Sequence, residues 1–532
     1  MNHIELFAGC GGLSLGLESE GFELLVANEL SPMAAETFAF NLLGLNLEDN
    51  GINQGDKIFW ISSEHERNDS KARLRENPYK AAGLNGKHSD IRGLTQPKKN
   101  LKRSMLVGSI LDLNRVLEED KRIAKALRNG LGSGGVDLVS GGPPCQSFSM
   151  AGMRQRSNER NSLPWAFAEF VRNVKPKMAL LENVTGILRA FNVNGQKYYA
   201  WYEVAKAFAV EGYIPICLHV NAKYVGAAQN RPRFIMIALE KSFAKRVRKA
   251  NIDAAFENVL QESFGFFDLV NNGEEGLDYG HLSYHDVENC SELFDSKLFS
   301  PLVTHRKKAT NLITVKDAID DLHDNGASKS KYVKFINGPA LSQEKKAHIK
   351  PANTELRSNN SRVKSRFRLY QLMNKISPKA RREISDFLRT GDEKVVKEAS
   401  LHELSTAGWF MTVDGEVCEN LSKRSILAAL IPLQTKKQTQ KALAPNQPAP
   451  AALSIPDDAC HYHDGTLRTL SVREMARIQS FPDWFEFRSK VTTGGQMRKF
   501  QVPQYTQVGN AVPPLLGKAL GKVCKHILQL AE

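Results

Sequence analysis

Cysteine is scarce in this chain, which has only seven in 532 residues. The seven are widely separated and never spaced as Cys-x-x-Cys; they stand at positions 10, 145, 217, 290, 418, 460 and 524. An odd, scattered set of this kind argues against a disulfide framework and against a thiolate zinc site. It favours a reducing compartment.

Long apolar runs are also lacking. None reaches the roughly 18 residues that a membrane-spanning helix needs, and the mean hydropathy is −0.36. A strand-like run at residues 4–7 follows Met-Asn-His directly, so we expect no secretory signal, no membrane partner and a cytoplasmic location. Because 42% of the residues are hydrophobic, the chain can bury a sizeable core, and its length predicts two or three domains.

Charge is unevenly distributed along the chain. Lys and Arg number 72 against 58 Asp and Glu, a formal net charge of +14. Residues 331–390 hold fifteen basic and four acidic residues, residues 67–103 hold eleven and three, and residues 251–300 hold one and eleven. A single charged run is often only a solvated face. Two basic blocks separated by an acidic one instead predict a surface with one side facing a polyanion.

Short apolar strands alternate with amphipathic helical segments over the first 240 residues. The strand-like runs are 4–7, 24–27, 136–140, 178–181 and 234–238. This alternation predicts an α/β fold with a doubly wound, mostly parallel sheet. From about 241 to 464 the pattern is irregular, and the Pro/Ala-rich stretch 444–450 is typical of an extended linker. An amphipathic helix after Thr469 and a C-terminal helix after Pro513-Pro514 complete the pattern.

A glycine-rich loop, residues 7–12, separates the first strand from the first helix. Glycines let the backbone approach a ligand closely beside a helix N-terminus. The second strand ends in Asn28-Glu29, where an acid can bind both hydroxyls of a ribose. The spacing differs from Gly-x-Gly-x-x-Gly, which favours an adenosyl ligand without a pyrophosphate. Glycine turns also occur without any ligand.

Cys145 stands in a turn rich in glycine and proline, residues 141–149, directly after a predicted strand. A lone cysteine is usually a small buried hydrophobe. At the carboxyl end of a parallel strand, however, cationic groups or a helix N-terminus can lower the pKa of a thiol. We therefore interpret Cys145 as a candidate nucleophile.

Polar residues mark two further strands. Glu182 ends the strand after the cysteine turn and is either an acid/base group facing the thiol or part of a helix cap. Gln229, Arg231 and Arg233 are two residues apart and so share one face of a strand. They are candidates to bind a base, a phosphate or the thiol loop, or else they form a solvated edge.

Taken in order, these motifs resemble those of DNA (cytosine-5)-methyltransferases of the bacterial restriction-modification or orphan type. The resemblance covers about residues 1–43, 105–240 and 456–520. Its motifs are residues 7–12, Pro143-Pro144-Cys145-Gln146, Glu182-Asn183-Val184, Gln229-x-Arg231-x-Arg233, 468–474, 479–483 and 507–514. It implies a doubly wound mixed α/β sheet of the S-adenosylmethionine-dependent methyltransferase type, plus a smaller, irregular target-recognition domain.

The domain boundaries follow from the same resemblance. A catalytic and cofactor-binding domain would span residues 1–240, with a basic insertion at 44–104 that is either a DNA-backbone contact or a solubilising loop. A target-recognition domain would occupy 241–464. Residues 465–532 would return to complete the catalytic domain.

The resemblance implies a covalent mechanism in which no metal takes part. Cys145 would add to carbon 6 of a cytosine, Glu182 would stabilise the ring through nitrogen 3 and the exocyclic amine, and Arg233, with Arg231, would hold the base and the thiol loop. Carbon 5 would then accept a methyl group from S-adenosyl-L-methionine, leaving S-adenosyl-L-homocysteine. The target base would first have to be flipped out of the duplex.

The implied cofactor site draws on both ends of the chain. Its residues would be Phe7, Gly9, Gly11, Gly12, Leu13, Glu29, Ser109, Ile110, Pro143, Asn510 and Val512. This chain departs from the family at Gly108-Ser109-Ile110, where Gly-Asp-Ile is usual. The acid expected near the adenine amine is therefore replaced or displaced to Asp112.

The implied partner is double-stranded DNA, contacted by Gln146, Ser149, Arg160 and Gln229, with phosphate contacts from the basic block 331–390. A cognate restriction endonuclease would act on the same site, whereas no obligate protein partner is implied. Two other hypotheses stay open: a transfer-RNA cytosine-5 methyltransferase and a catalytically inactive DNA-binding regulator. The long region 241–464 argues against the first, and intact Cys145 and Glu182 argue against the second.

Overall fold

A computed structural model describes residues 1–45, 57–61, 91–92, 94–144, 163–193, 196–273, 277–306, 312–323, 328–338, 340–341, 350–419, 421–435, 440–451, 456–495, 497 and 501–532. The strands, β1 to β17 in chain order, are Asn2–Leu6, Glu23–Glu29, Ile58–Trp60, Ser104–Val107, Leu138–Gly141, Met178–Val184, Phe191–Val193, Gln196–Tyr198, Tyr213–Asn221, Gln229–Asn230, Pro232–Glu240, Tyr284–Asp286, Phe410–Met411, Val417–Cys418, Lys441–Ala442, Ala449–Pro450 and Ala459–Cys460. The α-helices, α1 to α19, are Gly12–Glu18, Pro32–Phe38, Pro97–Leu101, Ile110–Glu119, Lys121–Arg128, Leu163–Val174, Ala200–Val210, Lys241–Lys249, Ala254–Asn271, Ser291–Asp295, Val315–His323, Lys331–Asn337, Ser361–Met373, Pro378–Thr390, Glu398–Thr406, Lys423–Leu430, Val472–Ile478, Gln504–Asn510 and Pro514–Leu530.

Nine strands form one mixed sheet in the order β12-β9-β11-β6-β5-β1-β2-β4-β3. All neighbours are parallel except β11, which runs antiparallel to both β6 and β9. Helices between the strands pack against it, as the buried faces of α6 and α7 show. The predicted α/β class and the mixed sheet are confirmed. The antiparallel β11 matters for function because it brings the start of one strand to the end of another.

The five predicted central strands are present with shifted bounds: three are longer than predicted, β1 begins and ends earlier, and β5 begins two residues later and ends one residue later. The predicted C-terminal elements are also present. Helix α17 begins with a capping box formed by Ser471 and Glu474, and α19 begins with Pro514, a residue that fits the first helical turn because its missing N–H would be unpaired there.

Buried apolar side chains fall into two clusters. The larger cluster runs from Ile4 to Leu341 and resumes at Leu443, so it includes helices α9 to α12. The smaller one contains residues from Phe367 to Leu433, together with Ala442 and Cys460. Strand β12, within the acidic block, completes one edge of the large sheet.

The Pro/Ala-rich stretch is extended, as predicted, but it is clamped to both clusters. On one side β15 pairs with β17, and Asn374 Nδ2 donates to the carbonyl of Leu443. On the other side β16 pairs with β10, just before β11, and the N–H of Val315 donates to the carbonyl of Gln447. We call residues 441–451 the strap.

The C-terminal helix α19 packs directly on the first helix α1. A Cβ placed on Gly16 would lie 2.4 Å from the backbone N of Lys518 and 2.5 Å from the carbonyl oxygen of Pro514. Only glycine allows the two backbones to approach so closely. Helix α19 thereby packs into the same hydrophobic core as helix α1.

Within the described ranges, no helix combines the length and apolar character needed to cross a bilayer. In the same part of the chain, no three His, Cys, Asp or Glu side chains are grouped so as to hold a metal ion.

Replacing Gly16 with Ala should lower the free energy of unfolding by about 1–3 kcal/mol, because the methyl group forces α1 and α19 apart. Gly265 is the matched control: it is an exposed helical glycine with no atom within 4 Å of the added Cβ. Gly265→Ala should be neutral or stabilise by about 0.5–1 kcal/mol. Urea denaturation measures both, and equal effects of the two substitutions would contradict the proposed close approach.

Candidate active site

The loop after β1 has a backbone that is largely restricted to glycine. Phe7 has a φ of 52°, Gly9 of 54° and Gly11 of 97°. A Cβ on Gly11 would lie 2.6 Å from Leu42 Cδ1, and one on Gly12 would lie 2.2 Å from the carbonyl oxygen of Val512. At Gly11 and Gly12 there is therefore no room for a side chain, and the backbone of the loop packs directly against its neighbours, including the C-terminal segment at Val512.

Glu29 closes one side of this loop from the end of β2. Its Oε2 accepts a hydrogen bond of 2.8 Å from the N–H of Gly9, and its Oε1 accepts one of 2.7 Å from the N–H of Ser31. Burial raises the pKa of Glu29, while these hydrogen bonds lower it. The carboxylate is thus held in one orientation, and each oxygen retains a lone pair for a further donor such as a ribose hydroxyl.

The remaining predicted cofactor residues surround the same loop or cap nearby helices. Leu13, Ile110, Pro143 and Val512 are buried, and Asn510 is exposed. Ser109 is the N-cap of α4, where its hydroxyl accepts from the N–H of Leu111 at 3.2 Å. Asp112 is buried within that helix, beside Arg115. Ser109 thus has a structural role of its own.

Glu182 and Arg233 form an ion pair at the carboxyl edge of the sheet, with 2.6 Å between Oε1 and Nε. In the antiparallel register Glu182 is opposite Ile235 and Arg233 is opposite Val184. They are diagonal neighbours on one face, within reach of long side chains. Burial lowers the pKa of Arg233, and the charge of Glu182 opposes that shift.

This ion pair lies against the start of the cysteine turn. A Cβ on Gly142 would be 2.9 Å from Glu182 Oε2, and Asn183 Nδ2 donates to the carbonyl of Pro143 at 3.0 Å. Glu182 and Asn183 therefore contact Gly142 and Pro143, which shortly precede the cysteine in the chain. Cys145, Gln146, Ser149 and Arg160, and most of the insertion 44–104, lie outside the described residues.

Arg231 was expected to face the base or the thiol loop, but the structure directs it elsewhere. Its Nη2 donates to the carbonyls of Gly509 at 2.8 Å and Ala511 at 3.0 Å, and its Nη1 donates to the carbonyl of Ala451 at 3.4 Å. Arg231 thereby joins the catalytic strand, the strap and the segment that carries Asn510 and Val512. The two-residue spacing predicted that Gln229, Arg231 and Arg233 share one face, but not which segments of the chain lie against their side chains.

Gln229, predicted to contact DNA, is fully buried. Its Nε2 donates to the carbonyl of Pro450 at 3.0 Å, directly beside the pairing of β10 with β16. In this position it fixes the strap to the catalytic domain.

The sequence did not predict the burial of two ionisable side chains, one in the glycine loop and one in the strand before it. Glu5 on β1 is 2% exposed and accepts a hydrogen bond from the hydroxyl of Ser14; burial raises its pKa to about 8. Cys10 is buried as well, and burial raises the pKa of its thiol, so this cysteine is no rival to Cys145 as a nucleophile. Strand alternation alone does not show that both faces of β1 are covered.

The smaller cluster carries exposed positive charge. Its basic helices α13 and α14 and the segments beside them expose Arg362, Lys375, Lys379, Arg381, Arg382 and Arg389. Arg368, by contrast, is buried: it pairs with Asp464 and stacks on the ring of Trp409, 3.9 Å from its centroid. Most of the basic block is therefore available to a polyanion.

The fold and the site together combine an α/β sheet with a glycine loop, a buried carboxylate beside that loop and, at the same sheet edge, a carboxylate paired with arginine. The sequence model of the C-5 cytosine-specific DNA methylases matches residues 1–64 and 113–526. The chain belongs to the C-5 cytosine-specific DNA methylase family.

Several relatives are type II methyltransferases. M.AgeI of Thalassovita gelatinovora is 29% identical over 444 residues, which cover 76% of this chain and 86% of that protein. M.DdeI of Desulfomicrobium norvegicum is 23% identical over 527 residues, 98% of this chain and 88% of that one. Among solved structures, Dnmt2 of S. pombe matches 99% of this chain and 98% of its own at 13% identity, with a TM-score of 0.36.

Replacing Glu5 with Gln should stabilise the protein increasingly as the pH rises. The pKa of Glu5 is about 8 in the folded state against 4.5 as its ordinary value, so the unfolded chain releases this proton first and stability is lost between about pH 5 and 8. Glu5→Gln removes that loss, which amounts to at most about 1.4 kcal/mol per pH unit. Urea denaturation at pH 5, 6.5 and 8 measures it, and a variant-minus-wild-type difference independent of pH would contradict the assignment.

Proposed function

We propose that this protein methylates carbon 5 of a cytosine within a specific sequence of duplex DNA, with Cys145 as the nucleophile. The observation that carries the proposal is the Glu182–Arg233 ion pair, which lies against Gly142 and is joined to Pro143 through Asn183. In a chain of the C-5 cytosine-specific methylase family, this arrangement sets a carboxylate beside the turn that bears the cysteine.

The proposed chemistry begins with the sulfur of Cys145, which forms a bond to carbon 6 of the cytosine and makes carbon 5 nucleophilic. The proton of the Cys145 thiol moves to ring nitrogen 3 as the sulfur adds, and Glu182 accepts hydrogen bonds from that N–H and from the exocyclic amine. Arg233 keeps the carboxylate of Glu182 in place. After methylation of carbon 5, a base removes the proton from that carbon, the electron pair expels the sulfur from carbon 6, and nitrogen 3 returns its proton to the sulfur.

S-adenosyl-L-methionine, when bound, supplies the methyl group and leaves as S-adenosyl-L-homocysteine. Glu29 would bind its ribose, since both carboxylate oxygens are held at the loop by backbone donors. The backbone of residues 9–12 would lie along the methionine portion, because no side chain fits at Gly11 or Gly12. Val512 would lie beside this backbone, and Arg231 positions that segment by bonding the carbonyl of Ala511.

We further propose that the smaller cluster is the target-recognition unit. Its exposed basic residues would neutralise phosphates, and the strap would link that unit to the catalytic strands through Gln229 and Arg231. The target base has to leave the stack before Cys145 can reach it. The partner we propose is duplex DNA, and a cognate restriction endonuclease would act on the same sequence.

Glu182→Gln should lower the rate of DNA methylation by about 10²–10³-fold, because the amide cannot stabilise the charge that develops on the ring. Glu203→Gln, on the surface helix α7, is the matched control and should keep the wild-type rate. The assay follows transfer of labelled methyl groups to duplex DNA and, in parallel, to transfer RNA. Bisulfite sequencing of DNA from cells expressing the chain then identifies the methylated sequence.

Methylation of transfer RNA but not of duplex DNA would overturn the proposed substrate. Absence of methylation from both would favour the inactive regulator instead. Equal rates for Glu182→Gln and the wild type would remove Glu182 from the mechanism.

A further inference from the structure

Three polar side chains form a chain of contacts behind the catalytic carboxylate. His219 on β9 lies 3.0 Å from Asp286 on β12, measured from Nδ1 to Oδ2. Its other ring nitrogen, Nε2, lies 3.3 Å from the hydroxyl of Thr185. Thr185 comes directly after Glu182-Asn183-Val184, at the start of a short 3-10 helix over Thr185–Leu188.

The register of the sheet aligns this chain of contacts with the active site. Asp286 is opposite His219 in the parallel pair of β12 and β9. His219 is opposite Phe234 on β11, which is in turn opposite Asn183 on β6. The paired residues therefore form a line across four strands, from Asp286 on the edge strand β12 to Asn183, which donates a hydrogen bond to the carbonyl of Pro143.

The contacts also select one of the two tautomers that a neutral imidazole can take. Because the carboxylate of Asp286 can only accept, the selected tautomer carries its hydrogen on Nδ1 and leaves Nε2 as the acceptor. The Thr185 hydroxyl then donates to Nε2. Asp286 is itself fixed, because its Oδ1 accepts from the N–H of Glu288 at 2.8 Å.

We propose that His219 is a positioning residue for Glu182: oriented by Asp286, it accepts the Thr185 hydroxyl and fixes the turn that follows Glu182-Asn183-Val184. This inference rests on the proposed methyltransfer reaction. It gives a function to β12, which comes from the chain beyond residue 240 and adds an edge strand to the catalytic sheet. His219 touches no substrate and acts only through the segment that carries Glu182.

The test compares Thr185→Val, which removes the hydroxyl at nearly constant volume, with Thr185→Ser, which keeps it. Thr185→Val and His219→Leu should lower kcat about ten- to hundredfold, since small misplacements of a catalytic group are costly. The KM for S-adenosyl-L-methionine should not change, because the cofactor loop lies on other strands. Thr185→Ser should restore kcat to within about threefold of the wild-type value.

His285→Leu is the matched control for His219→Leu. His285 precedes Asp286 on the same short strand but lies beside Glu262 and Cys290, with 3.9 Å between its Nε2 and Glu262 Oε2. If His219 merely supports the sheet, both histidine variants should lose melting temperature and kcat alike. Equal losses in the two histidine variants would overturn the proposal. A wild-type kcat for Thr185→Val would overturn it as well, and so would a Thr185→Ser variant as slow as Thr185→Val.

A second measurement separates this inference from the methyltransfer reaction. Nitrogen-15 NMR of histidine-labelled protein reports the tautomer of His219 whether or not the wild type methylates DNA, and His219→Leu assigns the signal. We expect the Nδ1-protonated form in the wild type and a shifted Nε2 signal in Thr185→Val. An Nε2-protonated His219 would overturn the contact chain, whereas an inactive wild type with the expected tautomer would count against the proposed function alone.

Discussion

The close approach of the two ends of the chain is the constraint on which the rest of the site depends. Gly12 and Gly16 in the first helix leave no room for a side chain against Val512 and the start of α19. The backbone packed against the glycine loop therefore belongs to a segment about 500 residues away in sequence. The loop reaches this arrangement only when the chain has closed on itself.

The same constraint explains the contacts of Arg231. A loop that returns from the far end of the chain needs a fixed anchor, and a buried guanidinium can bond several carbonyls at once. Arg231 bonds the carbonyls on either side of Asn510 and also reaches Ala451 in the strap. One residue therefore connects residues 509–511, the junction of β10 and β11, and the strap. Arg233, two residues on in β11, pairs with Glu182.

Much of this arrangement could be predicted from the sequence. Alternating apolar strands and helices predicted the α/β class, and the motif order indicated the methylase family. Local signals were sufficient to place Glu182 and Glu29 at or near the ends of their strands. The side-chain partners of Arg231 and Gln229 could not be predicted, because spacing shows that they share a face but not that the strap and residues 509–511 cover it. His219 carries no sequence signal, since its contacts depend on the register of β12, a three-residue strand in a region without a regular pattern.

The central claim is that the Cys145 sulfur bonds transiently to a cytosine held beside Glu182. Duplex DNA in which 5-fluorocytosine replaces the target base blocks release of the enzyme, because fluorine cannot leave carbon 5 as a proton does. With S-adenosyl-L-methionine present, the account predicts a stable protein–DNA adduct whose peptide map places the modification on Cys145, and no adduct with Cys145→Ala. An adduct on another residue, or one that persists in Cys145→Ala, would contradict the account.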